Sequence, residues 1–303
     1  MIVESLPGEV TERVCAARRD GRIVGVVPTM GALHRGHVSL IERARQECGF
    51  VIVTIFVNPT QFLPGEDYTR YPRTLETDLL LCQNAGADLA FTPTTAAMYP
   101  AGTQTAVHVD ELARCWEGQH RPGHFTGVAT IVAKLLNLCL PDRAYFGQKD
   151  FQQQLIIQRM VSDLNFPVSV VVCPIVRESD GLALSSRNRY LSPDERRAAT
   201  SLFRTLQLAE SLAMDPSLTP PEISRRMQQN LQGIPEIRLS YATVADCQTL
   251  EPLTCRKEQG VALIAAHVGN TRLIDNQILQ FRSEKGSGTN SAEHPSGHLA
   301  IGS

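Results

Sequence analysis

His34 and His37 lie three residues apart in the stretch Pro28-Thr29-Met30-Gly31-Ala32-Leu33-His34-Arg35-Gly36-His37, directly after the apolar run 23–27. That order reads as strand, tight turn and helix start, which sets two imidazoles beside unpaired helix-start N–H groups. The arrangement suits an anion, phosphate above all. Two other readings of the pair are a surface or helix-capping role and a shared metal ion. The metal reading is the weaker one, because no nearby Cys, Asp or Glu completes a ligand set at familiar spacing.

Three more polar stretches interrupt the apolar pattern, each after a strand or between elements, where open α/β folds face their ligand crevice. Asn58-Pro59-Thr60-Gln61-Phe62 offers two amides that can donate and accept, suited to a small substrate with hydroxyls and a carboxylate; an ordinary turn would look the same. Arg121-Pro122-Gly123-His124-Phe125 is joined by Phe146-Gly147-Gln148-Lys149-Asp150-Phe151-Gln152-Gln153. A lysine that follows a strand and a glycine and opens a helix is a good phosphate or carboxylate contact, and Asp150 is placed to cap that helix. Finally, Gly181-Leu182-Ala183-Leu184-Ser185-Ser186-Arg187-Asn188 brings two hydroxyls and a guanidinium together, as needed to hold a polyphosphate from a second side, or forms a solvated linker. No Walker A pattern occurs and no G-x-G-x-x-G follows a strand. ATP, if bound, is then held by the histidines, Lys149 and the Ser-Ser-Arg run, and kinase-type P-loop chemistry is disfavoured.

The elements that must position these residues follow from periodicity. A helix is expected over about 37–48, and the β-branched run 51–57 reads as a central parallel strand covered on both faces. Helices around Leu75 to Cys82, Val128 to Leu136 and Leu155 to Leu164 alternate with strands at 89–91, 144–146 and 168–172. Alternation of this kind means βαβ units in a doubly wound parallel, Rossmann-like sheet. From about residue 178 the pattern changes to two helices opened by capping boxes at 192–195 and 219–222, then β runs at 237–244 and 261–268 and a turn into Thr271-Arg272-Leu273-Ile274. The expected division is an α/β domain over 1–177, a smaller α+β lid domain over 178–282, and a disordered tail over 283–303, which has few large apolar residues.

With Lys+Arg 29 against Asp+Glu 31, the chain of 303 residues has a net charge of -2, which argues against a general electrostatic hold on nucleic acid or on an anionic membrane. No apolar segment approaches the ~18 residues of a membrane span, and the first residues lack a secretory pattern, so a soluble cytoplasmic protein is expected. The eight cysteines are dispersed with no C-x-x-C pair and read as reduced core residues.

Together the motifs P-T-M-G-x-L-H-x-G-H, F-V-N-P-x-Q-F, Y-P-R-T, R-P-x-H-F, F-G-x-K-D-x-Q-Q and D-G-L-A-x-S-S-R-N, in that order, strongly resemble the pantothenate synthetase (pantoate-beta-alanine ligase) family. This chain carries them at 28–37, 56–62, 71–74, 121–125, 146–153 and 180–188, with Thr271-Arg272-Leu273-Ile274-Asp275-Asn276 also fitting. The resemblance implies ATP-dependent condensation of pantoate with beta-alanine through an enzyme-bound pantoyl adenylate, with release of pyrophosphate and AMP. It implies that His34 and His37 steady the α-phosphate, and that Lys149, Ser185, Ser186 and Arg187 hold the triphosphate. Gly147, Asp150 and Val176 then line the nucleoside pocket, with Pro28, Thr29, Met30, Gly31 and Leu184 also on ATP. Gln61 and Gln153 take pantoate with Met30 packing nearby and Asn58 beside the triphosphate, while Arg121 and His124 fall near the site. Magnesium held by phosphate oxygens and water, with no protein ligand, and a homodimer complete the expectation. Another H-x-G-H nucleotidyltransferase with a different acceptor, or a non-catalytic nucleotide or metal binder, are the alternatives.

Overall fold

The computed structural model describes residues 1–282; the expectation for the tail 283–303 falls outside the described residues. The chain runs β1 (Ile2–Glu4), α1 (Pro7–Arg19), β2 (Val24–Thr29), α2 (Arg35–Glu47), β3 (Phe50–Ile55), α3 (Leu75–Asn84), β4 (Leu89–Phe91) and the short α4 (Thr95–Met98) and α5 (Glu117–His120). It continues with α6 (His124–Cys139), β5 (Arg143–Gly147), α7 (Phe151–Asp163), β6 (Ser169–Cys173), α8 (Pro193–Ala213), α9 (Pro220–Gln232), β7 (Ile237–Ala245), β8 (Gln259–Val268) and β9 (Thr271–Gln280).

Six strands form one sheet in the order β1-β4-β3-β2-β5-β6, and every pairing is parallel. Alternation along the strands explains the double winding. Val26, Ile52, Ala144 and Phe146 face a core shared with α1, α6 and α7, whereas Val27, Val51, Val53 and Tyr145 face a second core with α2 and α3. Both faces are therefore covered, as a parallel sheet requires. The sheet order reverses at β2, between β3 and β5, and all four polar stretches leave the C-terminal ends of β2, β3, β5 and β6 or pack against them, where such sheets bind ligands.

In the smaller unit α8 and α9 pack on the antiparallel sheet β7-β8-β9 through Leu202, Leu206, Ile223, Met227, Leu231 and Ile264. A separate cluster, in which Phe125, Phe151 and Ile156 meet Leu250, Val261 and Leu263, ties this sheet to α6 and α7. All eight cysteines are free thiols, four of them buried.

Three expectations shift. The helix expected at 37–48 starts at Arg35, because His34 itself is its cap, and the strand expected at 51–57 ends at Ile55, where the chain leaves the sheet for the 3-10 turn Pro59–Gln61. Asp150 occupies the cap position of α7, yet its side chain makes no cap bond and lies 3.9 Å from the Lys149 ammonium instead. β1 and α1 are additional elements: a three-residue strand is too short to display a period, whereas α1 carries one at Val10, Val14 and Ala17 behind Pro7.

Candidate active site

Everything at the end of β2 serves to aim the two histidines. Thr29 Oγ1 donates to the Thr54 carbonyl across the sheet and accepts from the Gly31 N–H, closing the turn. Gly31 and Ala32 both take left-handed backbone angles, with φ of 80° and 50°. A non-glycine residue there is strained, and the strain is held by Asp78, whose carboxylate accepts from the Ala32 and Leu33 N–H groups at 2.9 and 2.8 Å. His34 then caps α2: its Nδ1 accepts from the Gly36 N–H at 3.2 Å, and its own N–H donates to His37 Nδ1 at 3.4 Å. A Cβ on Gly36 would stand 2.9 Å from the His34 ring, so glycine between the histidines is a steric requirement. The structural reading of the pair as helix caps thus holds, and it leaves the outer nitrogen of each ring free of the cap. With both Nδ1 atoms accepting, each imidazole carries its proton on Nε2.

The rings lie 4.1 Å apart and border one cleft. Burial holds both neutral: His34 is lowered to about 4 by desolvation and then by Lys149, and His37 to about 3 by desolvation, His34 and Lys149. They are neutral N–H donors, and the positive charge beside them belongs to Lys149. That lysine follows β5, is mostly buried, and has no side-chain partner closer than Asp150 among the described residues.

Gln61 is built as carefully as the histidines. Asn58 Nδ2 donates to Gln61 Oε1 at 3.0 Å and to the Gly127 carbonyl at 3.1 Å, while its Oδ1 accepts from Thr60 and from the Tyr99 hydroxyl. The Gln61 carbonyl accepts from His124 Nδ1–H at 2.7 Å and from Arg121 at 3.2 Å. That fixes the His124 tautomer, so Nε2 accepts from Arg121 at 3.0 Å, and burial with the adjacent guanidinium lowers the ring to about 4. Arg121 is itself pinned by both oxygens of Glu66 at 2.6 Å. Asn58, Arg121 and His124 each give a hydrogen bond to Gln61 and take their other partners from the protein. The Gln61 Nε2 group, with only Met30 Sδ as a partner, and the Gln153 amide, with none among the described residues, remain available to a ligand.

The opposite wall differs. Leu184 N–H donates to the Val176 carbonyl, which folds the segment after β6 back over the cleft, and Ser185 Oγ accepts from the Arg187 N–H. Arg187 is engaged side-on by Asp67 through Nε and one terminal nitrogen, both at 3.0 Å. The cleft, of about 240 Å³, opens beside a second of about 620 Å³. It brings together Pro28, Thr29, Met30, His34, His37, Asn58, Gln61, Arg121, His124, Gly147, Lys149, Asp150, Gln153, Val176, Leu184, Ser185, Ser186 and Arg187. Gly31 alone of the expected residues does not line it; it faces a neighbouring hollow beside Asp78. Asp78, Glu66, Asp67 and Tyr99 escape the sequence reading. Only Asp78 leaves a signal, a lone carboxylate four residues before Cys82 on the buried face of α3.

A doubly wound sheet that presents an H-x-G-H helix start, a cleft-facing lysine and a Ser-Ser-Arg turn at its strand ends defines a nucleotide-binding α/β enzyme. Comparison with known proteins gives the family: the pantoate-beta-alanine ligase profile matches residues 3–278. The pantothenate synthetases of Moorella thermoacetica and Rubrobacter xylanophilus are each 51% identical, over 89% and 90% of this chain and 96% and 97% of their own. Crystal structures of the Thermus thermophilus pantothenate synthetase (TM-score 0.87, 49% identity, 91% of this chain and 99% of that one) and of a Francisella tularensis ligase complexed with beta-gamma ATP and beta-alanine (0.75, 33%, 92% and 97%) share the fold. The chain belongs to the pantoate-beta-alanine ligase family.

Proposed function

We propose that the cleft forms pantoyl adenylate between its two walls and then passes the acyl group to beta-alanine. The reaction class is the family's: ATP-dependent condensation of pantoate with beta-alanine to pantothenate, AMP and pyrophosphate. In our reading Gln61 and Gln153 orient pantoate, and its carboxylate oxygen bonds to the α-phosphorus while the bond to the pyrophosphate oxygen breaks. Charge that builds on the α-phosphate oxygens meets Nε2–H of His34 and His37, donors whose positions are already set and which lose no proton in the step. Lys149 supplies positive charge, and Ser185, Ser186 and Arg187 take the β- and γ-phosphates from the other side. The beta-alanine amine next attacks the acyl carbon and AMP departs. Asn58, Arg121 and His124 act here as positioning residues for Gln61.

Magnesium fits as a companion of the triphosphate. Among the described residues no three His, Cys, Asp or Glu side chains gather into a metal cage, and Glu66 and Asp67 are held by arginines. Bound to phosphate oxygens and water, it would neutralise charge on the departing pyrophosphate. We also propose that residues 178–282 close on 1–177 to shield the mixed anhydride from water, and that the protein works as a cytoplasmic homodimer. No helix among the described residues is long and apolar enough to cross a membrane.

The observation that carries this reading is two neutral Nε2–H donors and the Lys149 ammonium on the same cleft as the Gln61 amide. Pyrophosphate release tests it. ATP with pantoate should give at most one equivalent per site, and adding beta-alanine should make release continuous. Stoichiometric ATP binding without any release would sink it, and release with another acid but not pantoate would reassign the acceptor.

A further inference from the structure

The motif at 271–276 has no part in the chemistry above, although it sits at the seam between the two units. Its last residue, Asn276 on β9, is 1% exposed. Its Nδ2 donates to the carbonyls of Gln148 and Lys149 at 3.0 and 2.9 Å, and its Oδ1 accepts from Gln148 Nε2 at 3.2 Å. One amide therefore spends both donors and its acceptor on the two residues that end with the cleft lysine. The turn has no other side-chain hydrogen bond among the described residues, because Asp150 does not cap α7. The preceding residue does the corresponding work on the other wall. Asp275, 3% exposed, takes Arg177 in two bonds of 2.6 and 3.0 Å, and Arg177 also donates to the Gly181 carbonyl at the start of the loop that leads to Ser185.

We infer that Asn276 is a positioning residue for Lys149: from the smaller sheet it fixes the peptide that carries the lysine, so the ammonium meets the triphosphate at a set distance from the Ser185 loop held by Asp275. The inference rests on our reading of Lys149 as a triphosphate contact. An aspartate in this place would keep the shape while facing two carbonyl oxygens with a carboxylate, turning both attractions into repulsions.

The test is a double-mutant cycle on the full chain. Binding of a β,γ-non-hydrolysable ATP analogue and pantoate-dependent ATP–pyrophosphate exchange are measured for Asn276→Asp, Asn276→Ala, Lys149→Ala and Lys149→Ala combined with Asn276→Asp. Each Asn276 variant should weaken analogue binding about tenfold and raise the KM for ATP alike, with the KM for beta-alanine within about twofold of wild type. In the Lys149→Ala background Asn276→Asp should add no further loss, since its effect runs through the lysine. Should the core variants not fold, Gln148→Ala removes the donor to Asn276 Oδ1 while leaving the two Nδ2–carbonyl bonds in place, so the Asn276 amide is held less firmly, and a rise of about threefold in the KM for ATP is expected. Wild-type ATP binding in the folded Asn276 variants, losses that multiply in the double variant, or an unchanged KM for ATP in Gln148→Ala when it alone folds would each overturn the inference. If Lys149→Ala alone leaves binding and exchange intact, it is the reading of Lys149 that fails.

Discussion

The two walls of the cleft are built on different principles. On the wall formed by β2 and β3, every reactive side chain is locked from behind: Asp78 holds the turn before His34, the histidines cap α2 with their inner nitrogens, and Asn58, Arg121 and His124 grip Gln61. On the facing wall Arg187 holds a carboxylate of the protein, Asp67, where an anion would sit. One wall has its donors arranged before substrate arrives, so no reorganisation is needed as charge develops. In the function proposed above, the other exchanges an internal anion for an external one. That division fits a ligase in which the first wall meets the reacting carboxylate and α-phosphate and the second only grips the tail that leaves.

Variants on each wall can break this comparison. Lys149→Ala, which removes the cation between the walls, should lower pantoate-dependent exchange by roughly 10²- to 10³-fold and weaken ATP binding; a change confined to beta-alanine kinetics would contradict it. Gln61→Ala should raise the KM for pantoate by about 10- to 100-fold. Asn58→Ala should do the same but also lower the melting temperature, because it abandons buried partners on Thr60, Gly127 and Tyr99. Equal melting temperatures would mean that Asn58 is not the support argued here. On the opposite wall Asp67→Asn should lower the KM for ATP by about two- to fivefold, the scale of one partly exposed ion pair. A rise instead would show that the carboxylate helps ATP rather than standing in its place.

A separate effect, on stability rather than on rate, is pH dependence. His34, His37 and His124 are all depressed in the folded protein, to about 4, 3 and 4, from the ordinary histidine value of 6.5. The unfolded chain therefore binds more protons at these positions, and stability is full above about pH 6.5 and falls as pH drops toward 4. Urea melts across the range from neutral pH down toward the depressed values should follow that sign, and His124→Gln should flatten the slope.

How far the sequence carries the reading also differs between the walls. His34, His37 and Lys149 are legible as candidates because each closely follows a strand, and a strand end with polar residues has few purposes in a parallel sheet; Ser185 to Arg187 are legible as a polar run at the junction after β6. The supports are not. Asp78 is far from His34 in the chain, and Glu66 and Asp67 lie in a loop without periodicity, so nothing local records which arginine each carboxylate meets. Arg121 and His124 do fall at the site, but only the geometry separates a residue that touches ligand from one that holds Gln61. The α/β alternation is readable for the same reason as the strand ends, whereas β1, an edge strand of three residues, offers too little pattern.

The account turns on the histidine pair as prearranged neutral donors to the α-phosphate. Pantoate-dependent ATP–pyrophosphate exchange in His34→Ala and His37→Ala tests this most directly. The account predicts a loss of roughly 10²-fold or more in each, with the fold kept apart from the ~1 kcal/mol of a lost helix cap. Near-normal exchange in both folded variants would contradict it.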